Sequence, residues 1–302
     1  MINQISKPLI GIVTVLYNSD EVLPGFFKSL SSQEQVNIKL YVIDNSPHDA
    51  GVKLSEMLAK KFSIDVYSIF NDANVGVAKG NNQGIQLALK DKCDFILLAN
   101  NDTEFEPQAI RNLLDVLIDT DEQVATPKIM YFDKPDTIWY AGGHINTWLM
   151  KTPHYGMLAL DNGRYDSQIY VNYAPTCFML FNAKVFETIG AMDEQYFVYY
   201  DDTDFVWRMS AKGIKIRFVY NSVVLHKVSS STGGDRSPFS LYYTNRNRIY
   251  FIRKNLTKIK KVVALIYMMI TRCFQILLIE KPLAKHIVRG VRDGFAMKIV
   301  RQ

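Results

Sequence analysis

The first hundred residues alternate short β-branched runs with amphipathic stretches, and that rhythm confines the chain to a layered fold in which helices cover a sheet. Leu9 to Leu16 (LIGIVTVL) is a buried strand by this reading, followed by a helix from Asp20 to Leu30 with an acidic first turn. Ile38 to Ile43 is the next strand and runs into the turn cluster Asp44-Asn45-Ser46-Pro47. A helix over Val52 to Phe62, a strand over Ile64 to Phe70, the loop Asn71 to Val75 and a helix ending at Leu89 continue the series. Asp94 to Ala99 closes it and meets Asn100-Asn101-Asp102-Thr103. Ligands of open α/β sheets bind beyond the carboxyl ends of the strands, so polar clusters at three such ends can converge on one site.

The chain then changes character. Gln123 to Leu225, with Gly142-Gly143 and several tyrosines, predicts hairpins and irregular loops rather than another βαβ repeat. A helix is expected from about Asp201; its phase puts Asp202, Phe205, Val206 and Met209 on one face and Asp201, Asp204 and Arg208 on another, with Asp202 inward and Asp201 outward. From Pro238 the pattern is helical. Val262 to Ile279 is apolar for about the length that spans a bilayer, but Arg272 interrupts it at a cost of roughly 3 kcal/mol on insertion scales. Flanking Lys258, Lys260, Lys261, Lys281, Lys285, Arg289 and Arg292 suit an in-plane helix on anionic lipid; a core helix and a homodimer contact are the other readings.

The net charge of +5 belongs mainly to Arg246 to Arg301, so no nucleic-acid partner is expected. Cys93, Cys177 and Cys273 lie far apart in apolar surroundings and are expected to be buried free thiols in a reduced compartment. Met1 to Leu9 shows neither a signal peptide nor an anchor, which predicts a cytoplasmic protein, including one peripheral at the cytoplasmic face of the membrane.

Each polar cluster has two readings. Asp102 directly after an apolar strand can reach a divalent cation on a diphosphate, or can belong to the cap of a helix beginning at Pro107. Asp44 can accept the imino hydrogen of a pyrimidine base or close an Asx turn. The glycines of Asn74 to Gly84 permit close backbone approach to phosphate or sugar, yet fit neither a dinucleotide fingerprint nor a P-loop. Three carboxylates at Asp201, Asp202 and Asp204 can complement a helix dipole, and an inward Asp202 can serve as a base. His226, at the end of a short strand over Ser222 to Leu225, is a structural imidazole or a metal ligand. Tyr242, Tyr243, Arg246, Arg248 and Tyr250 suit phosphate contact or a solvated helix face.

In this order the segments resemble the family 2 glycosyltransferases of the GT-A fold, in their bacterial rhamnosyltransferase-like branch, from Leu9 to about Asn255 with a weaker echo at Arg289 to Phe295. The resemblance implies an α/β, Rossmann-like nucleotide-diphospho-sugar transferase with a C-terminal helical extension. It divides the chain into a catalytic domain over 1–237, with a nucleotide-sugar half to about 122 and an acceptor half over 123–237, and an extension over 238–302. It implies donor contacts at Tyr17, Asn18, Asp44, Asn74, Gly76, Asn82, Asn101 and Asp102, with Gly84 completing the loop pattern. It implies Mg²⁺ or Mn²⁺ at Asp102 and His226, although only one carboxylate of the usual D-x-D pair is present, and it makes Asp202 the base. The expected reaction is inverting transfer from a nucleotide-diphosphate sugar, dTDP-L-rhamnose foremost, to a glycan or lipid-linked acceptor of surface polysaccharide synthesis. A UDP-hexose or UDP-galactofuranose is the alternative donor. A sugar-1-phosphate nucleotidyltransferase would need a Gly-rich phosphate loop where Leu16-Tyr17-Asn18-Ser19 stands, and a non-catalytic scaffold would have no use for Asp44, Asp102 and Asp202.

Overall fold

A computed structural model describes residues 7–228 and 236–300. Most of Met1 to Leu9, and all but the ends of the loop from Lys227 to Arg236, therefore lie outside the described residues. The elements in chain order are β1 (Leu9–Leu16), α1 (Leu23–Ser31), β2 (Asn37–Asp44), α2 (Ala50–Phe62), β3 (Val66–Phe70), α3 (Val77–Lys90), β4 (Phe95–Ala99), β5 (Thr103–Phe105) and α4 (Ala109–Thr120). There follow β6 (Val124–Tyr131), β7 (Lys134–Tyr140), β8 (Tyr170–Val171), β9 (Phe178–Asn182), α5 (Lys184–Ile189), α6 (Asp201–Ala211), β10 (Ile216–His226), α7 (Pro238–Asn255), α8 (Lys258–Leu278) and α9 (Lys281–Ala296).

One sheet runs through the molecule in the order β3-β2-β1-β4-β9-β6-β10-β5. The first four strands are parallel, as a βαβ rhythm requires, and β9 joins antiparallel to β4. β1 is apolar on both faces because helices cover both: Ile10, Ile12 and Val13 are fully buried. Each such side chain contributes about 1.5–3 kcal/mol of transfer free energy. Gly80 and Gly84, four apart on α3, turn to β1, where an added Cβ would meet Val15 at 2.9 Å and Val13 at 2.3 Å. These two glycines serve helix–strand packing, not approach to a ligand, since residues four apart share one helix face.

Three boundaries differ from the sequence reading. α1 begins at Leu23, with Asp20 and Glu21 in the preceding turn closed by Val22 N–H on the Ser19 carbonyl at 3.1 Å, so its first turn carries no acid. The helix expected at Pro107 begins at Ala109, after the three-residue strand β5. β10 is longer than Ser222 to Leu225; a bulge between Val219 and Val223 lets both of its halves pair with β6. Cys93 and Cys177 are buried as expected, but Cys273 on α8 is exposed.

The last three helices build a second apolar cluster around Ile249, Phe251 and Ile252 that also takes in Met150 and Tyr196. α9 lies close on α7 through Gly290 and Gly294, where an added Cβ would come within 2.5 Å of the Tyr242 and Arg246 carbonyls. α8 buries only Ala264 and Met268, so it is not a core helix. Of the described helices it alone is long and apolar enough to cross a membrane by length and composition.

Candidate functional site

The carboxyl ends of β1, β2 and β4 surround a cleft of about 340 Å³ lined by Tyr17, Asn45, Asn74, Gly76, Asn101 and Asp102 among others. The turns that make it are local chemistry. Asn18 takes a left-handed conformation (φ +48°) and donates its N–H to Ser46 Oγ, tying the end of β1 to the end of β2. Asn101 donates to the Val15 carbonyl at 2.7 Å, tying β4 to β1. Asn74 Oδ1 accepts the Gly76 N–H, and Gly76, at φ +87°, lets Phe197 pack where a Cβ would stand 2.5 Å from its ring. Asn45 donates to the Gly76 carbonyl and closes the ring of strand ends.

Three expected donor contacts do not line the cleft: Asn18, which shapes the turn at the end of β1, Asn82 and Asp44. Asn82 turns away from the cleft and clamps the Met192 backbone from both sides, with Nδ2 also on Glu194; the helical phase gives the cleft to its neighbour Asn81 instead. Asp44 is fully buried, with Oδ1 on the Ser46 N–H and Oδ2 toward Gly51 of α2, where it meets no hydrogen-bond partner among the described residues.

Asp102 and His226 are brought together by strand register. β5 pairs antiparallel with β10 so that Thr103 faces His226, and the Lys227 N–H donates to the Asp102 carbonyl. Nε2 of His226 then lies 3.2 Å from Oδ1 of Asp102. The other ring nitrogen, Nδ1, is buried with no partner among the described residues, and Trp139 packs edge-on against the ring at 4.7 Å. A carboxylate oxygen on the wall of the cleft and an imidazole nitrogen beside it fit Mg²⁺ or Mn²⁺ whose other ligands are phosphate oxygens and water. Among the described residues no third His, Cys, Asp or Glu joins them.

The outward facing expected of Asp201 is reversed, while Asp202 keeps to the face of the buried Phe205, Val206 and Met209. Asp201 and Asp204 are 5% and 0% exposed, whereas Asp202 is partly open. The phase of α6 was legible, but the Asp204 face is covered by α7, whose Lys254 and Asn255 reach Asp204, as do Arg208 of α6 itself and Tyr196 of the preceding loop. Asp202 Oδ2 accepts from Tyr173 at 2.7 Å and Oδ1 from the Thr203 N–H at 2.6 Å. Burial raises the Asp202 carboxyl above its ordinary range, against these two donors. Asp201 is pushed up to about 8 by burial and by the charge of Asp202. Burial lifts the Cys177 thiol well above its ordinary value, and the charges of Asp102 and Asp202 add to it.

Sequence reasoning passed over the residues that connect these groups. His154 packs against Trp139 and stacks on Tyr173, completing an aromatic path from His226 to Asp202. Burial lowers the His154 pKa, and His226 lowers it further. The cluster of tyrosines was visible in the sequence, but not which of them is buried. The run on α7 is neither a solvated face nor, for the most part, open to phosphate. Arg246 donates to the Gln195 and Tyr196 carbonyls, Asn247 to those of Tyr196, Val198 and Tyr199, and Tyr250 to Asp193. These bonds hold a loop in which Phe197, Tyr199 and Tyr200 all have positive φ, directly before Asp201.

Residues 11–190 match the model of the family described as Glycosyl transferase family 2. The chain is similar to the dTDP-rhamnosyl transferase RfbF of Shigella flexneri, with 24% identity over 93% of this chain and 96% of that protein. It is also similar to the low-salt glycan biosynthesis hexosyltransferase Agl10 of Haloferax volcanii, with 25% identity over 79% of this chain and 74% of that one. Among solved structures, the mannosyltransferase PcManGT of Pyrobaculum calidifontis, in complex with GDP-Man and Mn²⁺, superposes with a TM-score of 0.59 at 10% identity over 97% of this chain and 77% of that one. The architecture is that of the GT-A glycosyltransferases.

Proposed function

The chain belongs to glycosyl transferase family 2, and from that premise we propose that it moves a sugar, with inversion, from a nucleotide-diphosphate donor to a hydroxyl of a glycan or lipid-linked acceptor. The observation that carries the reading is the position of Asp102 on the wall of the cleft, paired with His226, together with an Asp202 carboxylate held by Tyr173. Likeness to a rhamnosyl transferase over nearly the whole chain favours dTDP-L-rhamnose as donor; likeness to a hexosyltransferase keeps a UDP-hexose as the alternative.

In this mechanism the diphosphate lies along the cleft against Tyr17, Asn74, Gly76 and Asn101, with Asn18 shaping the turn beneath it. Asp44, one oxygen unpartnered beneath the floor, supports the nucleoside end. Asp102 and His226 would hold Mg²⁺ or Mn²⁺, which supplies positive charge against the departing diphosphate. Asp202 takes the proton of the attacking hydroxyl, and Tyr173 keeps the receiving carboxylate in one orientation. The exposed apolar face of α8 between the basic ends of α8 and α9 lies on an anionic membrane surface, cytoplasmic in this reading, where such an acceptor is found.

The test joins binding to turnover. dTDP-L-rhamnose with Mn²⁺ should raise the melting temperature more than the sugar nucleotide alone, and Asp202→Asn should lower turnover about 10²- to 10⁴-fold while keeping that stabilisation. Turnover near the wild-type rate in Asp202→Asn would remove Asp202 as the base. No metal-dependent stabilisation by any nucleotide sugar would remove the metal.

A further inference from the structure

Three cations converge between α7, α8 and the loop that precedes β8, and no carboxylate is paired with any of them among the described residues. Arg248 on α7 is 8% exposed; one guanidinium nitrogen donates to the Leu149 carbonyl, and its buried Nε meets nothing among the described residues. Arg272 on α8 donates to Asn245 Oδ1 at 3.2 Å and has a buried Nε in the same state. Lys151 Nζ and the Arg248 guanidinium lie 5.6 and 5.8 Å from the centre of the Tyr267 ring. Burial lowers the Arg272 pKa and the neighbouring Arg248 charge lowers it further, as expected of two guanidiniums held together without a counter-ion.

Buried like charges are costly unless an anion sits among them, and arginines offer the planar donor pairs that phosphate oxygens accept. The cluster also reaches toward the chemistry. Tyr200 stands at the N-cap of α6 next to Asp201, and its half-buried phenol feels Arg248, Arg272 and Asp202 together. Arg272 stands on the side of α8 that faces the protein, while Ile266, Ile270 and Phe274 on the same helix are exposed.

We infer that Lys151, Arg248 and Arg272 form a binding site for a phosphate or diphosphate ester, the anionic part of a lipid-linked acceptor, entered beside α8. This rests on the transferase reading above. It gives Arg272 a use in a helix whose apolar run it would otherwise spoil.

Calorimetric titration with geranyl diphosphate, and with geraniol as the uncharged control, tests the site on the full chain. The wild type should bind the diphosphate and not the alcohol, and Arg272→Gln should weaken binding about tenfold. Lys151→Gln, at an exposed position, should weaken it in the same direction and keeps the test open should Arg272→Gln fail to fold. Retention on phosphatidylglycerol vesicles is the second arm. If the variants lose vesicle retention instead, the phosphate is that of a bilayer headgroup and the site stands. Unchanged diphosphate affinity and unchanged retention in both variants would overturn it. Stabilisation of the wild type by dTDP with Mn²⁺, measured on the same preparation, reads the transferase assignment separately, so the two failures are distinguishable.

Discussion

Asp202 is pulled two ways: burial disfavours its charge, while Tyr173 and Thr203 donate to the ionised form. A base must be ionised, so activity should fall with falling pH through a value above the ordinary carboxylate range of about 4. Tyr173→Phe removes a donor to the charged form and raises the pKa further. The acid limb of the kcat/KM profile should therefore move to higher pH in that variant; an unmoved limb would separate Tyr173 from Asp202. Asp201 gives a stability counterpart. Its folded-state pKa, about 8, exceeds the unfolded value, so its stabilising contribution is complete at low pH and is lost as pH rises through about 8. Asp201→Asn, neutral throughout, should gain in melting temperature over the wild type as pH is raised from 5 to 9, and a constant difference would contradict the assignment. At this scale the sequence exposed the carboxylates but not their facing. Period alone puts Asp202 and Phe205 on one face of α6 and Asp204 and Arg208 on another; that the second face is covered as well depends on Lys254 and Asn255, some fifty residues away.

Elements carry the site through their ends and their register. The strands from Leu9 to Ala99 were legible because apolar runs of five to eight residues separated by turn chemistry leave few alternatives. β5 was not legible, since three residues carry no period; yet β5, against β10, is what sets Asp102 beside His226. The positive-φ loop before α6 was equally hidden, because nothing in Phe197 to Tyr200 favours that conformation locally. It depends on α7. Asn247→Ala leaves the Val198 and Tyr199 carbonyls without this donor and that of Tyr196 to Arg246, and should cost about 1–3 kcal/mol in urea unfolding together with a fall in kcat. Full activity in that variant would mean that the loop keeps its shape unaided.

For the molecule as a whole, the proposed membrane contact rests on the open side of α8. Ile259, Val262, Ile266, Ile270, Phe274 and Leu277 form an exposed apolar face on a helix whose flanks and successor carry lysines and arginines. Binding should favour phosphatidylglycerol over phosphatidylcholine vesicles and weaken as salt rises, since exposed charges are screened beyond about 10 Å at 0.1 M. Replacing Ile266 and Phe274 by Ser should reduce vesicle binding about tenfold or more, from the apolar area no longer buried. Equal binding to neutral vesicles, or a dimer in ultracentrifugation that the double variant abolishes, would assign the face to another cover. Composition made this helix conspicuous, but only its packing tells that Arg272 faces the protein and the aliphatic residues do not. The clamp of α7 on the loop before Asp201 bears on how the protein comes to life during synthesis. The strands up to β10 can pair while later residues are still being added, but Arg246, Asn247 and Lys254 are not yet available to hold Tyr196, Val198 and Asp204. A nascent chain halted at residue 237 would own its sheet and most of its donor cleft, and the enzyme would be switched on only by the last helices to be made.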